Sequence, residues 1–170
     1  MKRLKYFMDC QTAEELKSAY HKLVKKLHPD NGGDAKEFVT MKSEFESLFN
    51  ILKNTHYNSK TGETWEATGD RATTETAKEF MDIIEKLMFI SALNVELCGS
   101  WIWVSGDTKS YKELLKELDF KYSSNKQMWY YQRDGKRRFH KKAWSINQIR
   151  DVYGSEKYRG ERDQLETATA

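Results

Sequence analysis

The chain reads as an α+β protein, with an N-terminal helical hairpin followed by a small C-terminal α/β domain built on an antiparallel sheet. Three observations predict this. The one proline among 170 residues, Pro29, separates two apolar stripes of helical period. A polar stretch follows at 54–73, and beyond residue 93 the apolar period shortens from 3.6 to 2. The boundaries read as a hairpin over 1–53, a flexible linker over 54–73, an α+β domain over 74–158 and a disordered tail over 159–170.

The first helix is written in Leu16, Ala19, Tyr20, Leu23, Val24 and Leu27, which share one face at i, i+3, i+4, i+7, i+8 and i+11. Thr12 and Glu15 form a capping-box pair at its start. Lys17, His21, Lys22, Lys25 and Lys26 occupy the other side, which is expected to be positive and solvated. Pro29 lacks an amide donor and drives the residue before it out of the helical region, so the helix should end at His28. Gly32 and Gly33 permit the chain reversal, and Asp34 suits an N-cap. A second helix then carries Phe38, Met41, Phe45, Leu48, Phe49 and Leu52 on one stripe. The short loop leaves the two stripes facing each other in an antiparallel pair, with Leu4, Tyr6, Phe7 and Met8 closing the open side.

With these residues in view, 5–52 resembles a J domain, the module that DnaJ-like co-chaperones present to the DnaK-type heat-shock protein 70. The resemblance rests on Lys5-Tyr6-Phe7, the run Thr12 to Leu23, His28-Pro29-Asp30, and the spacing of Phe38, Met41, Phe45 and Leu48. It implies that Asp30 contacts a partner arginine, while His28 and Pro29 set the shape of the loop. Lys22, Lys25 and Lys26, with Lys17 and His21 less prominent, would steer the protein toward an acidic surface. No fourth helix is evident after residue 53, and there is neither a glycine/phenylalanine-rich segment nor a set of Cys-x-x-Cys modules. The resemblance therefore points to a shortened, specialised member of the family whose remaining domain selects the target.

Composition excludes several classes. With 38% hydrophobic residues and a mean hydropathy of −0.85, no stretch reaches membrane-spanning length. Met1-Lys2-Arg3 has no apolar run between it and Asp9, so no signal peptide is expected and the cytoplasm is the default compartment. Cys10 and Cys98 are isolated, without the spacing of a metal site or a disulfide framework. A net charge of +3 is too small to indicate a partner.

In the second half, Thr73 or Thr74 is the expected cap of a helix with Ala77, Phe80, Met81, Ile84, Leu87 and Met88 on its stripe, reaching about Ala92. Val95 and Leu97, then Trp101 to Val104, read as two strands joined at Cys98-Gly99-Ser100. Asp107 or Thr108 should cap a helix bearing Tyr111, Leu114, Leu115 and Leu118. Phe120 and Tyr122 open another strand, which turns at 123–126 into Met128-Trp129-Tyr130-Tyr131. Ser145 caps a last helix with Ile146, Ile149, Val152 and Tyr153, and Gly154 ends it. The segments Gly99 to Thr108, Leu115 to Ser123 and Met128-Trp129-Tyr130, with the ending Trp144 to Gly154, resemble a small domain in proteins of bacterial phages and integrative elements. That resemblance implies no known activity. Asp119 stands where a glycine is expected at a helix end.

From Lys121 to Trp144 there are eight basic residues against the single acid Asp134, a local excess of seven. Arg133, Lys136, Arg137, Arg138, Lys141 and Lys142 are the candidate contacts to a nucleic acid or to an acidic protein partner, with Tyr122, Trp129, Tyr130, Tyr131, Phe139 and Trp144 interleaved. Most of these rings are expected in the core. Inhibition of a host nuclease, a counter-defence role, is the alternative function this surface would serve. No phosphate-binding glycine loop, paired carboxylates or nucleophile-base pairing is evident, so the chain reads as a non-enzyme without cofactor or metal.

Overall fold

A computed structural model describes residues 4–134 and 144–159. Helix α1 (Ala13–Leu27) and helix α2 (Ala35–Leu52) form the expected antiparallel pair. The Thr12 hydroxyl accepts from the Glu15 amide, but the Glu15 carboxylate reaches the amide of Gln11 rather than that of Thr12. Leu16, Tyr20 and Val24 meet Phe38, Met41, Phe45 and Phe49, all buried. From the preceding segment, Phe7 packs edge-on against Phe45 at 5.9 Å. Met8 does not join it and is 63% exposed. The segment is held instead by polar anchors, with the amides of Lys5 and Tyr6 donating to the Glu44 carboxylate.

Residues 54–73, read above as a linker, contain a β-hairpin. Strand β1 (Thr55–Asn58) pairs antiparallel with β2 (Glu63–Glu66), and a single 3-10 turn follows at Gly69–Arg71. This hairpin has no apolar period because β2 is exposed along its whole length. Its order comes from polar anchors. Asn54 accepts amide bonds from Ala67 and Thr73, the first on its carbonyl and the second on Oδ1, both at 2.8 Å. His56 Nδ1 lies 2.7 Å from the Glu14 carboxylate on α1, and Trp65 covers the His56 ring.

Helix α3 (Ala77–Leu87) begins three or two residues later than expected, because Thr76 and Glu79 complete a reciprocal capping box that Thr73 and Thr74 cannot make. It also stops earlier, since the chain is needed for strand β3 from Leu93. Phe80 lies 5.9 Å from Tyr20 and 5.6 Å from Phe45, while Ile83, Ile84 and Leu87 belong to the same apolar cluster as the sheet. One core thus runs from Phe7 through α3 to Tyr131.

The sheet is antiparallel throughout, in the order β5-β6-β4-β3-β7. Its strands are β3 (Leu93–Cys98), β4 (Trp101–Gly106), β5 (Lys121–Ser123), β6 (Met128–Tyr131) and β7 (Glu156–Arg159). Strand β7 departs from the expectation of a tail beginning at 159, because it completes the free side of β3. Alternation places Val95, Leu97, Ile102, Val104, Trp129 and Tyr131 on the main core. Cys98, Trp103 and Met128 form a second cluster on the other face, covered by Ile146 and Ile149 of helix α5 (Ile146–Tyr153). Ser145 and Gln148 cap α5 reciprocally, as the position of Ser145 suggests.

Helix α4 (Lys112–Glu117) links β4 to β5 without a side-chain cap. The Asp107 carboxylate accepts instead from the Ser110 hydroxyl, within a turn that delays the helix. Asp119 takes a left-handed conformation, φ 62°, after α4, at the position where the resemblance of this segment leads to an expectation of glycine.

Candidate functional site

His28, Pro29 and Asp30 form the tip of the α1–α2 pair, and every backbone group needed to hold the turn is engaged. The His28 amide donates to Val24 and closes α1. Its carbonyl accepts from both Asn31 and Gly33, at 3.0 Å each. Pro29 opens a 3-10 turn over Pro29–Asn31, where its missing donor costs nothing. Gly32 follows with φ 80°. Gly33 is required for a different reason: a Cβ there would stand 2.1 Å from the Leu27 carbonyl oxygen. Asp34 then starts α2 by accepting from the amides of Lys36 and Glu37.

Within the turn the two polar residues are treated oppositely. The His28 ring lies edge-on between Phe38 and Phe89, 4.9 Å from each, and its side chain is only 14% exposed. Its Nδ1 accepts from the Asp30 amide at 3.2 Å. The Asp30 carboxylate, 3.7 Å from the same nitrogen, is 74% exposed. A fixed loop thus presents one anion to solvent. Phe89 escaped the sequence reading because it lies beyond the end of α3 and sixty-one residues from His28.

The lysine face of α1 divides in two. Lys22 and Lys26 are exposed and Lys25 is half-buried, so these three share the side of the helix leading to the loop. Lys22 is bridged to Glu156 of β7 at 3.1 Å. The carboxylate of Glu156 also accepts from the Ser18 hydroxyl. Lys17 and His21 are not solvated, contrary to the sequence expectation; each is 2% exposed. Lys17 donates to the buried Glu75 carboxylate and, at 3.2 Å, to the Ser100 carbonyl, with the Phe80 ring 4.9 Å from its Nζ. Burial pushes the Glu75 carboxyl up, and the Lys17 charge opposes that rise. His21 is pushed down to about 3 by burial, with Lys25 and Lys22 adding to the effect and Glu156 opposing it. The spacing places Lys17 and His21, seven and three residues before Val24, at the border of the apolar stripe, but the groups that cover Lys17, Glu75 and Ser100, come from beyond the hairpin.

The C-terminal candidates are not brought together as a described surface. Arg133 is turned inward to Asp119 at 2.5 Å and sits over the Tyr131 ring, with Glu79 at 3.9 Å. These internal partners, rather than an external anion, account for its position. Lys136, Arg137, Arg138, Lys141, Lys142 and Phe139 lie outside the described residues. Trp129 and Tyr131 are buried, as expected of core rings, while Tyr130 stacks on Trp101 at 5.5 Å. Tyr122 is 52% exposed.

Among the described residues no three His, Cys, Asp or Glu side chains are grouped to hold a metal ion. Both cysteines are unpaired thiols, and burial with the nearby Glu96 carboxylate pushes Cys98 up to about 12, far from the reactive range. No described helix is long and apolar enough to cross a membrane. Compared with protein-family models, curated proteins and solved structures, the chain finds no match.

Proposed function

We propose that this chain is a J-domain co-chaperone, one that docks on a DnaK-type heat-shock protein 70 and stimulates its ATPase. The observation that carries this reading is the contrast inside the loop. His28 is clamped by Phe38 and Phe89, whereas the Asp30 carboxylate is open to solvent on a hydrogen-bonded turn. A carboxylate on a preorganised turn suits a charge-assisted bond to an arginine, because little backbone entropy remains to be lost on docking. Lys22, Lys25 and Lys26 lie along the adjoining helix and supply the cationic flank that an acidic partner surface would meet. The protein would act in the cytoplasm and carry no catalytic group of its own, the ATP chemistry belonging to the partner.

The sheet domain has the role of choosing what the recruited chaperone works on. It is built onto the hairpin through the shared core and through the Lys17–Glu75 pair, so loop and target surface would move as one body.

ATP turnover by a bacterial DnaK-type chaperone tests the reading directly. Wild-type protein should raise the single-turnover rate, and His28→Gln and Asp30→Asn should abolish most of that increase while melting at nearly the wild-type temperature. Equal stimulation by all three proteins, or none by the wild type, would discard it.

A further inference from the structure

A second cationic surface lies between α4 and β5, and none of its residues belongs to the Arg133–Lys142 cluster. An open groove of about 610 Å³ runs between α4 and the edge strand β5, lined by Lys112, Lys116, Phe120, Lys121, Tyr122 and Trp129. Phe120 and Trp129 are 4% and 7% exposed, so they form an apolar floor continuous with the core. Tyr122, paired in register with Trp129, stands beside it at 5.5 Å between ring centroids and offers half its surface to solvent. Lys112 and Lys116 are one helical turn apart, about 6 Å along the axis, on the same side of α4. Lys121 closes the rim from β5. No acidic side chain among the described residues lines the groove. Among the described residues, the Glu113 carboxylate lies 3.5 Å from Lys116 in a solvent-exposed pair that contributes little.

We propose that this groove binds single-stranded nucleic acid. Three lysines on one rim, only Lys116 carrying a weak exposed pair, favour an anionic ligand. The groove's openness suits a segment of a longer polymer passing across it rather than an enclosed small molecule. Between polyanions, the exposed Tyr122 ring favours nucleic acid: every nucleotide brings a base that can stack on it while the lysines take adjacent phosphates, whereas an acidic peptide brings a ring only where its sequence supplies one. The sugar-phosphate chain would run along Lys112 and Lys116 with one base on Tyr122. Such a contact reads no sequence, because every base has a π-face. This proposal is independent of the co-chaperone reading.

Fluorescence anisotropy of a labelled oligothymidylate, titrated with the full chain over a series of salt concentrations, tests it. Three exposed lysines in contact should make the log of the affinity fall with the log of salt, and changing Lys112, Lys116 and Lys121 together to alanine should flatten that slope by about 2. Tyr122→Ala should weaken binding about tenfold with the slope unchanged, since it removes stacking and not charge. Tyr122→Phe, which keeps a ring, should bind like the wild type. The proposal is overturned if the triple variant binds as the wild type does, or if binding is lost only on changing Arg137, Arg138, Lys141 and Lys142. It is also overturned if polyglutamate displaces the oligonucleotide at equal charge concentration and Tyr122→Ala has no effect, which would mark a surface for acidic protein. Lys112, Lys116, Lys121 and Tyr122 are exposed, and an unchanged thermal transition establishes that each variant is folded.

Discussion

The ring of His28 meets Phe89 edge-on at 4.9 Å, so the loop at the tip of the helical hairpin is braced by a residue from the segment linking α3 to the sheet. Phe38 supplies the opposite wall at the same distance. Removing Phe89 should free the imidazole while costing little stability, because Phe89 is 42% exposed and an aromatic pair contributes about 1 kcal/mol. For Phe89→Ala we expect a nearly unchanged melting temperature, a shift and broadening of the His28 ring resonances, and reduced stimulation of the DnaK-type ATPase. Unchanged ring resonances would show that Phe38 alone holds His28.

The two loop glycines should respond differently to alanine. At Gly32 the cost is conformational, about 1–2 kcal/mol for a side chain at φ 80°, since nothing lies within 4 Å of the added carbon. At Gly33 the added carbon meets the Leu27 carbonyl at 2.1 Å, and the backbone must move. Gly33→Ala should therefore lower stability by more than Gly32→Ala and displace Asp30, which chemical denaturation and ATPase stimulation would report together.

Lys17 and Glu75 join the halves through a buried ion pair, each side chain 3% exposed. Lys17→Met alone leaves an uncompensated buried carboxylate and should cost about 3–5 kcal/mol, as should Glu75→Leu in the opposite sense. The double variant should recover much of that loss, since two apolar groups of similar volume need no desolvation of charge. A double-mutant cycle by denaturant unfolding measures the coupling.

His21 should make the fold acid-sensitive. Its pKa lies near 3 in the folded chain, below the ordinary 6.5, so the unfolded chain takes up a proton as pH falls past 6.5 while the folded chain does not. Stability is withdrawn across the window from 6.5 down to 3. Between pH 7 and pH 5 this amounts to about 2 kcal/mol. Glu75, whose pKa is raised, shifts stability the other way on acidification, so the clean measurement is a difference. The stability of wild type relative to His21→Leu should fall by that amount from pH 7 to pH 5, and a flat difference would mean that His21 is protonated inside the fold.

The Lys22–Glu156 pair is exposed on both sides and should contribute less than 1 kcal/mol. Glu156→Gln should consequently melt close to the wild type. If Lys22 faces an acidic partner, the same substitution should strengthen docking on the DnaK-type chaperone, most visibly at low salt. Surface-immobilised chaperone titrated with both proteins would reveal the change.

Local rules read directly from the residues account for the fold class, the two hairpin helices, the turn at Pro29, the β3–β4 hairpin and the last helix. Each follows from periodicity, a cap or a turn residue lying within a few positions. The β1–β2 hairpin left no such trace, because its side chains are mostly solvated and its order comes from Asn54, Glu14 and the backbone ladder. Strand β7 was likewise invisible, since a polar tetrapeptide becomes a strand only when β3 offers an edge. Position 17 shows the divide most clearly. The sequence alone determined that Lys17 lies on the flanking face of α1 that borders Val24, seven residues on. Only the tertiary structure decided that this face would be half covered, by Glu75, Ser100 and Glu156. A helix records its own amphipathicity in its spacing, but which charge finds a buried partner depends on residues that folding brings from fifty or more positions away.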